Sequence, residues 1–225
     1  MIKLHGIKKS YDGRTVLDVQ DFTFARGGRY ALIGPNGSGK STLLRILAGT
    51  LKQDEGSVTY SNAPDTGYLP QSPHIFDLSV MGNVTIALRG MDADTKTRLA
   101  LEALERAGLS RMAKARAKGL SGGEAQRLAL ARLIAVPHDL LLLDEPTSST
   151  DIQAGDRIES ALMQYCDDTG CTMVFSSHAP GQAQRLSTCA IVLDRGRIAE
   201  FGPAGDVLQS PQDESTREFL RHWRI

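Results

Sequence analysis

The chain has 225 residues, 41% of them hydrophobic, with 26 Lys plus Arg balancing 26 Asp plus Glu. That length suits one large domain, or one domain with an inserted subdomain, and can bury a sizeable core. Zero formal charge without a basic run argues against a nucleic-acid partner, and three cysteines without a CxxC pair argue against a disulfide scaffold or a metal site.

In chain order, Ile2 to Tyr11 and Val16 to Phe24 read as two strands around the turn Asp12-Gly13-Arg14. Gly27-Gly28 ends that pattern. Arg29 to Ile33 is a short apolar run, predicted as a buried strand that ends in a glycine-rich loop, and a helix is predicted from Lys40 to about Leu51. Ser57 to Tyr60 and Gly67 to Leu69 read as further strands. From Val80 to Val136 the periodicity turns helical: Leu99, Ala103, Leu104 and Ala107 share a face, and Gly108 is predicted as a C-cap. Leu140 to Leu143 restores a buried strand, a helix is predicted from about Gln153 to Tyr165, and Thr172 to Phe175 is another buried strand. Strands separated by helices imply a parallel α/β sheet. Ala190 to Glu200 reads as a hairpin around Asp194-Arg195-Gly196-Arg197, and Thr216 to Trp223 as a short helix. Met1 to Gly6 has no apolar h-region, so no signal peptide is expected. Stretches such as Leu140–Leu143 are too short to span a bilayer, so action at a membrane is expected to run through a partner.

Two motifs carry the chemistry. Gly34-Pro35-Asn36-Gly37-Ser38-Gly39-Lys40-Ser41 fits the phosphate-loop pattern GxxxxGK[ST], between a predicted strand and a predicted helix that continues with Thr42. Glycines let backbone N–H groups converge on phosphate oxygens, the helix N-terminus adds partial positive charge, Lys40 would reach the β- and γ-phosphates, and the Ser41 hydroxyl would ligate Mg²⁺. The second motif is Leu140–Leu143 followed by Asp144-Glu145-Pro146. An apolar strand delivers Asp144 to its C-terminal tip, where α/β sheets bind ligands. Asp144 would help hold Mg²⁺, and Glu145 is placed to polarise the attacking water. Either segment alone would also fit a structural turn; their pairing favours nucleotide hydrolysis.

Leu120-Ser121-Gly122-Gly123-Glu124-Ala125-Gln126-Arg127 resembles the LSGGQ-type signature of ABC transporter ATPases. Its physics repeats that of the phosphate loop: a hydroxyl and two glycines open a helix toward anionic oxygen. Other elements resemble the family's in the family's order. Tyr11 looks like the aromatic that stacks on adenine. Gln71 looks like the Q-loop glutamine that senses Mg²⁺ and the γ-phosphate. Ser148-Ser149-Thr150-Asp151 is similar to the D-loop, with Thr150 in place of the usual Leu. His178 looks like the switch histidine, followed by Ala179 where an acid is common. Glu124 stands where Gln is commoner.

The resemblance implies a P-loop NTPase (RecA-like) core with an N-terminal antiparallel β subdomain. It implies one ABC ATPase domain over residues 1–225, with the core in 1–78 and 137–225 and a helical signature subdomain at about 79–136. Glu145, His178 and Gln71 are its expected catalytic residues. Tyr11, Gly34 through Thr42, Ser121, Gly122, Gly123 and Asp151 are expected to bind ATP, and Ser41, Gln71 and Asp144 to hold Mg²⁺. Two copies are expected to sandwich ATP, each signature completing the other copy's site. A transmembrane permease and a solute-binding protein are the further partners, at the cytoplasmic, inner face of the cell membrane. Ile75, Phe76 and Leu78 either pin the helical stretch or line a groove for a short helix of the permease. A single phosphate loop and a short interval before the signature disfavour ribosome- and chromosome-type members. Arg116-Ala117-Lys118-Gly119 does not resemble the TxxGExG-like segment of exporters, and no fused transmembrane helices are present. Import of a small solute, an oxyanion or an amino acid, is therefore expected, with an export or lipid-handling complex or a non-transport ATPase as alternatives.

Overall fold

The computed structural model describes residues 1–148 and 150–223. Along the chain run β1 (Ile2–Tyr11), β2 (Arg14–Val19), β3 (Phe22–Phe24), β4 (Arg29–Ile33), α1 (Lys40–Leu47), β5 (Glu55–Tyr60) and β6 (Thr66–Leu69). Then come α2 (Val80–Thr85), α3 (Ala93–Arg106), short 3-10 turns at Ser110–Met112 and Ala117–Gly119, and α4 (Gly122–Ile134). The remainder is β7 (Leu140–Asp144), α5 (Ile152–Thr169), β8 (Thr172–Ser176), α6 (Pro180–Leu186), β9 (Cys189–Asp194), β10 (Arg197–Pro203), α7 (Ala204–Gln209) and α8 (Glu214–Arg221). They gather into two compact units.

The first unit holds Met1–Thr66, Asp139–Glu145 and the chain from Gly170 on. One of its sheets is antiparallel. β1 pairs β2 through its second half and β3 through its first, with Ile7 opposite Val19 and Ile2 opposite Phe24, and β5 lies on the other edge of β1. The segment expected as one strand from Val16 to Phe24 is therefore two. It divides around Asp21, whose carboxylate accepts the Gly6 N–H at 3.2 Å, and both pieces bury alternate apolar residues: Leu17 and Val19, then Phe22 and Phe24. The other sheet runs β10-β9-β4-β8-β7. β9, β4, β8 and β7 are parallel, and β10 turns back antiparallel on β9. Leu140 to Leu143 are at most 1% exposed, as strands covered on both faces require. The register sets Leu32 and Asp144 both opposite Ser176, so the loops after β4, β7 and β8 emerge along one sheet edge. α1 stops at Leu47, short of the expected Leu51, because the chain reverses there: the N–H groups of Thr50 and Leu51 both return to the Arg45 carbonyl.

The second unit holds Gly67–His138 and Pro146–Thr169. Val80, Val84 and Leu88 pack with Ala100, Ala103 and Leu104 and with Leu128 and Ala131 in one apolar core. α3 ends as expected, with Gly108 at φ +68° beyond it. α5 is longer at both ends than its periodicity suggested.

Candidate active site

The phosphate loop is built by backbone that only glycine accepts. Gly34 has φ +139°, and a Cβ there would stand 2.1 Å from the Leu193 carbonyl oxygen. Gly39, the N-cap of α1, has φ +104°, and a Cβ would meet Leu17 and the Val16 carbonyl at 2.9 Å. No side chain caps α1, so its first-turn N–H groups lack the capping partner that helices usually recruit. Lys40 is 6% exposed. Its Nζ donates to the Gly34 carbonyl at 2.8 Å and the Pro35 carbonyl at 3.0 Å. Burial pushes the Lys40 pKa below its ordinary value, and the charges of Glu145 and Asp144 oppose that shift. The Ser38 hydroxyl is buried without a hydrogen-bond partner. An orphaned hydroxyl, a buried ammonium and an uncapped helix start together fit a polyphosphate anion.

The tip of β7 faces this loop. Asp144, 4% exposed, accepts from the Ser41 hydroxyl at 3.0 Å and from the Ser176 hydroxyl at 2.6 Å. Ser176 also accepts the Glu145 N–H at 2.9 Å. One serine at the end of β8 thus holds both members of the acidic pair. Sequence reasoning did not single it out; its position one strand over from Asp144 becomes visible only through the sheet order. Glu145 adopts φ +49°, a left-handed conformation that costs a non-glycine residue about 1 kcal/mol and that clusters at functional sites. Its Oε1 lies 3.4 Å from Nδ1 of His178, so β8 and β7 bring this carboxylate and the histidine together. Of the predicted site residues in the first unit, Ser41, Asp144, Glu145 and His178 are linked by these contacts through Ser176, and Lys40 lies within reach of the charges of Asp144 and Glu145. Tyr11, at the end of β1, is 43% exposed, with the Lys9 ammonium 5.5 Å from its ring centroid.

Gln71, Ser121, Gly122, Gly123 and Asp151 belong to the second unit. Ser121 opens α4 through a capping box. Its Oγ accepts the Glu124 N–H at 3.3 Å, while a Glu124 carboxylate oxygen accepts the Ser121 N–H at 2.8 Å and the Ser121 hydroxyl at 2.7 Å. The Ser121 backbone N–H, then its hydroxyl, then Arg127 hold the Glu124 carboxyl below the ordinary carboxylate range. Glutamate where glutamine is commoner therefore closes the cap with charge. Asp151 accepts the Ala154 N–H at 2.8 Å and caps α5. Ser149 of the D-loop-like segment lies outside the described residues. In the loop before α2, Ile75 packs on the helical core, whereas Phe76 and Leu78 are 37% and 39% exposed. Phe76 stacks under the Arg132 guanidinium at 5.1 Å and edge-on to His74.

The sequence profile of the ABC transporter family matches residues 17–148. The chain belongs to that family. It is an ATP-binding, ATP-hydrolysing cassette of a transporter. It is 37% identical, over 88% of its own length and 97% of the relative's, to the ATP-binding protein of a tungstate uptake system from Peptoclostridium acidaminophilum. It is 32% identical to a molybdate/tungstate import ATP-binding protein of Thermococcus kodakarensis, over 98% of this chain and 70% of that one. Among solved structures it is similar to a dimeric ATP-binding cassette in a post-hydrolysis state bound to ADP and phosphate. That match has a TM-score of 0.84 and 28% identity, covering 91% of this chain and 99% of that one. No helix of the cassette among the described residues is long and apolar enough to cross a membrane.

Proposed function

We propose that this cassette powers import of a tetrahedral oxyanion of the tungstate or molybdate kind through a separate membrane permease. The observation that carries the hydrolytic half is the convergence of Lys40, Ser41, Asp144, Glu145 and His178 at the C-terminal edge of one sheet. The substrate half is supported by relatives that match over nearly the whole chain.

The backbone of Gly34 to Thr42 cradles the phosphates, Lys40 leaves its two carbonyl partners to neutralise them, and Tyr11 stacks on adenine. Ser41, Asp144 and Gln71 would hold Mg²⁺, which would supply charge neutralisation to the phosphates. Glu145 accepts a proton as the attacking water forms its bond to the γ-phosphorus and the bond to the bridging oxygen of ADP breaks. His178, beside Glu145, contacts the γ-phosphate and holds the carboxylate in line. Ser121, Gly122 and Gly123 of a second copy close the site, with Asp151 at the dimer contact. Phe76 and Leu78 dock the permease, Gln71 couples their position to the nucleotide, and a solute-binding protein delivers the anion from the far side. The cassette then works at the cytoplasmic face, with residues 79–136 as its helical subdomain.

Reconstitution with the permease that co-purifies with it tests the reading. ATP-driven uptake of tungstate into vesicles should be saturable and should vanish with Glu145→Gln. ATP hydrolysis without uptake of tungstate or molybdate would overturn the substrate half and leave the hydrolytic half standing.

A further inference from the structure

α8 is short but firmly tethered. Asp213 caps it, its Oδ1 accepting the Thr216 N–H at 3.1 Å and the Ser215 hydroxyl at 2.6 Å. The Glu200 carboxylate on β10 accepts the N–H groups of Gln212 at 2.9 Å and Asp213 at 3.1 Å. Arg217 donates to the carbonyls of Pro211 and Gln212, and Thr216 and Leu220 are buried. The helix is thus fixed to the β9–β10 hairpin, and β9 is the neighbour of β4, the strand that feeds the phosphate loop. Between α8 and Pro35 of that loop lies a cavity of about 520 Å³, with Val192 and Phe219 among its walls.

Beyond the helix, the Trp223 N–H donates to the Leu220 carbonyl at 2.9 Å. That turn carries the indole to His178, with ring centroids 5.9 Å apart and planes at 40°. Trp223 is the only tryptophan in the chain and is 44% exposed, so it is not a core anchor. The His178 side chain is itself 47% exposed. On one side it has the Glu145 carboxylate at 3.4 Å and on another the indole.

We propose that Trp223 is a positioning residue for hydrolysis: its indole flanks the His178 ring and restricts it to orientations that face Glu145. A half-exposed imidazole in a loop samples several rotamers, and an aromatic neighbour carried on a tethered helix removes some of them. The inference rests on the reading of His178 and Glu145 as hydrolytic groups. It adds to the site an element that lies outside the phosphate loop, the acidic strand and the signature.

Steady-state ATPase of the purified, permease-coupled protein tests it. Trp223→Ala should lower kcat about three- to tenfold, the factor that one aromatic pair of this kind represents in a rate constant, with KM for ATP unchanged. Trp223→Phe keeps an aromatic face and should recover most of the loss. The emission of the single tryptophan supplies a readout independent of activity: His178→Ala should change its intensity without shifting the melting temperature. Wild-type kcat in Trp223→Ala, equal losses in the Ala and Phe variants, or unchanged emission in His178→Ala would each overturn the inference. Wild-type turnover in His178→Ala would instead remove the reading on which it rests.

Discussion

The two glycine-containing helix starts of this cassette are built in opposite ways. The phosphate loop opens α1 without a side-chain cap, and Lys40, Ser38 and Asp144 beside it are nearly buried. The signature opens α4 with a closed capping box, and Ser121 is exposed. One motif leaves helix N–H groups free for a ligand inside its own unit. The other satisfies its helix internally and presents a finished surface. A site that this chain assembles for itself needs burial and strain, as the left-handed Glu145 shows. On the proposed reading the signature is offered to a second copy, and a surface of that kind must stay stable while exposed, which the cap provides.

The sharpest way to break this comparison is Glu145→Gln, which should reduce turnover by about 10²–10⁴-fold while ATP binding persists, because on the proposed mechanism it removes the general base and spares the cradle. Near-normal hydrolysis would remove the acidic strand from the chemistry. Ser121→Arg should cost about 10²–10³-fold in turnover, the scale of losing one preorganised donor, yet leave nucleotide binding by the monomer intact. Loss of monomer binding would mean that the signature serves its own chain.

Ser176→Ala probes the buried half, since it strips one partner each from the Asp144 carboxylate and the Glu145 N–H. Melting should register about 1–3 kcal/mol of lost stability, with turnover falling alongside. Phe76→Asp probes the exposed half. The Phe76 ring is partly exposed beneath Arg132, so stability should change by no more than about 0.5 kcal/mol, while co-purification with the permease is lost. A destabilised monomer would return Phe76 to local packing.

The smallest effect belongs to Glu124→Gln, a slight loss of stability at pH 7 that fades on acidification. The folded-state pKa of Glu124 lies below the ordinary value of 4.5. Its contribution is therefore complete above that value and is lost as pH falls through the folded pKa. Glu124→Gln should flatten that acid limb of the melting-temperature curve, and an unchanged limb would remove charge from the account of the cap.

The sequence by itself determined what repeats locally. The glycine spacing of residues 34–39 can serve a phosphate loop because φ at Gly34 and Gly39 lies where other residues clash. Leu140 to Leu143 announce a strand buried on both faces, and Ser121 followed by Glu124 announces a helix start, since each signal spans only a few residues. Only the tertiary structure decided what depends on strands meeting. Ser176 becomes the brace of Asp144 and Glu145 because β8 lies beside β7 in register. The stretch from Val16 to Phe24 becomes two strands because β1 takes a different partner along each half of its length. Trp223 reaches His178, 45 positions earlier in the chain, because α8 is tethered to a hairpin next to β4. No pattern of hydrophobicity encodes such a meeting, because it is set by which edges and helix ends are left to be satisfied once the sheet has formed.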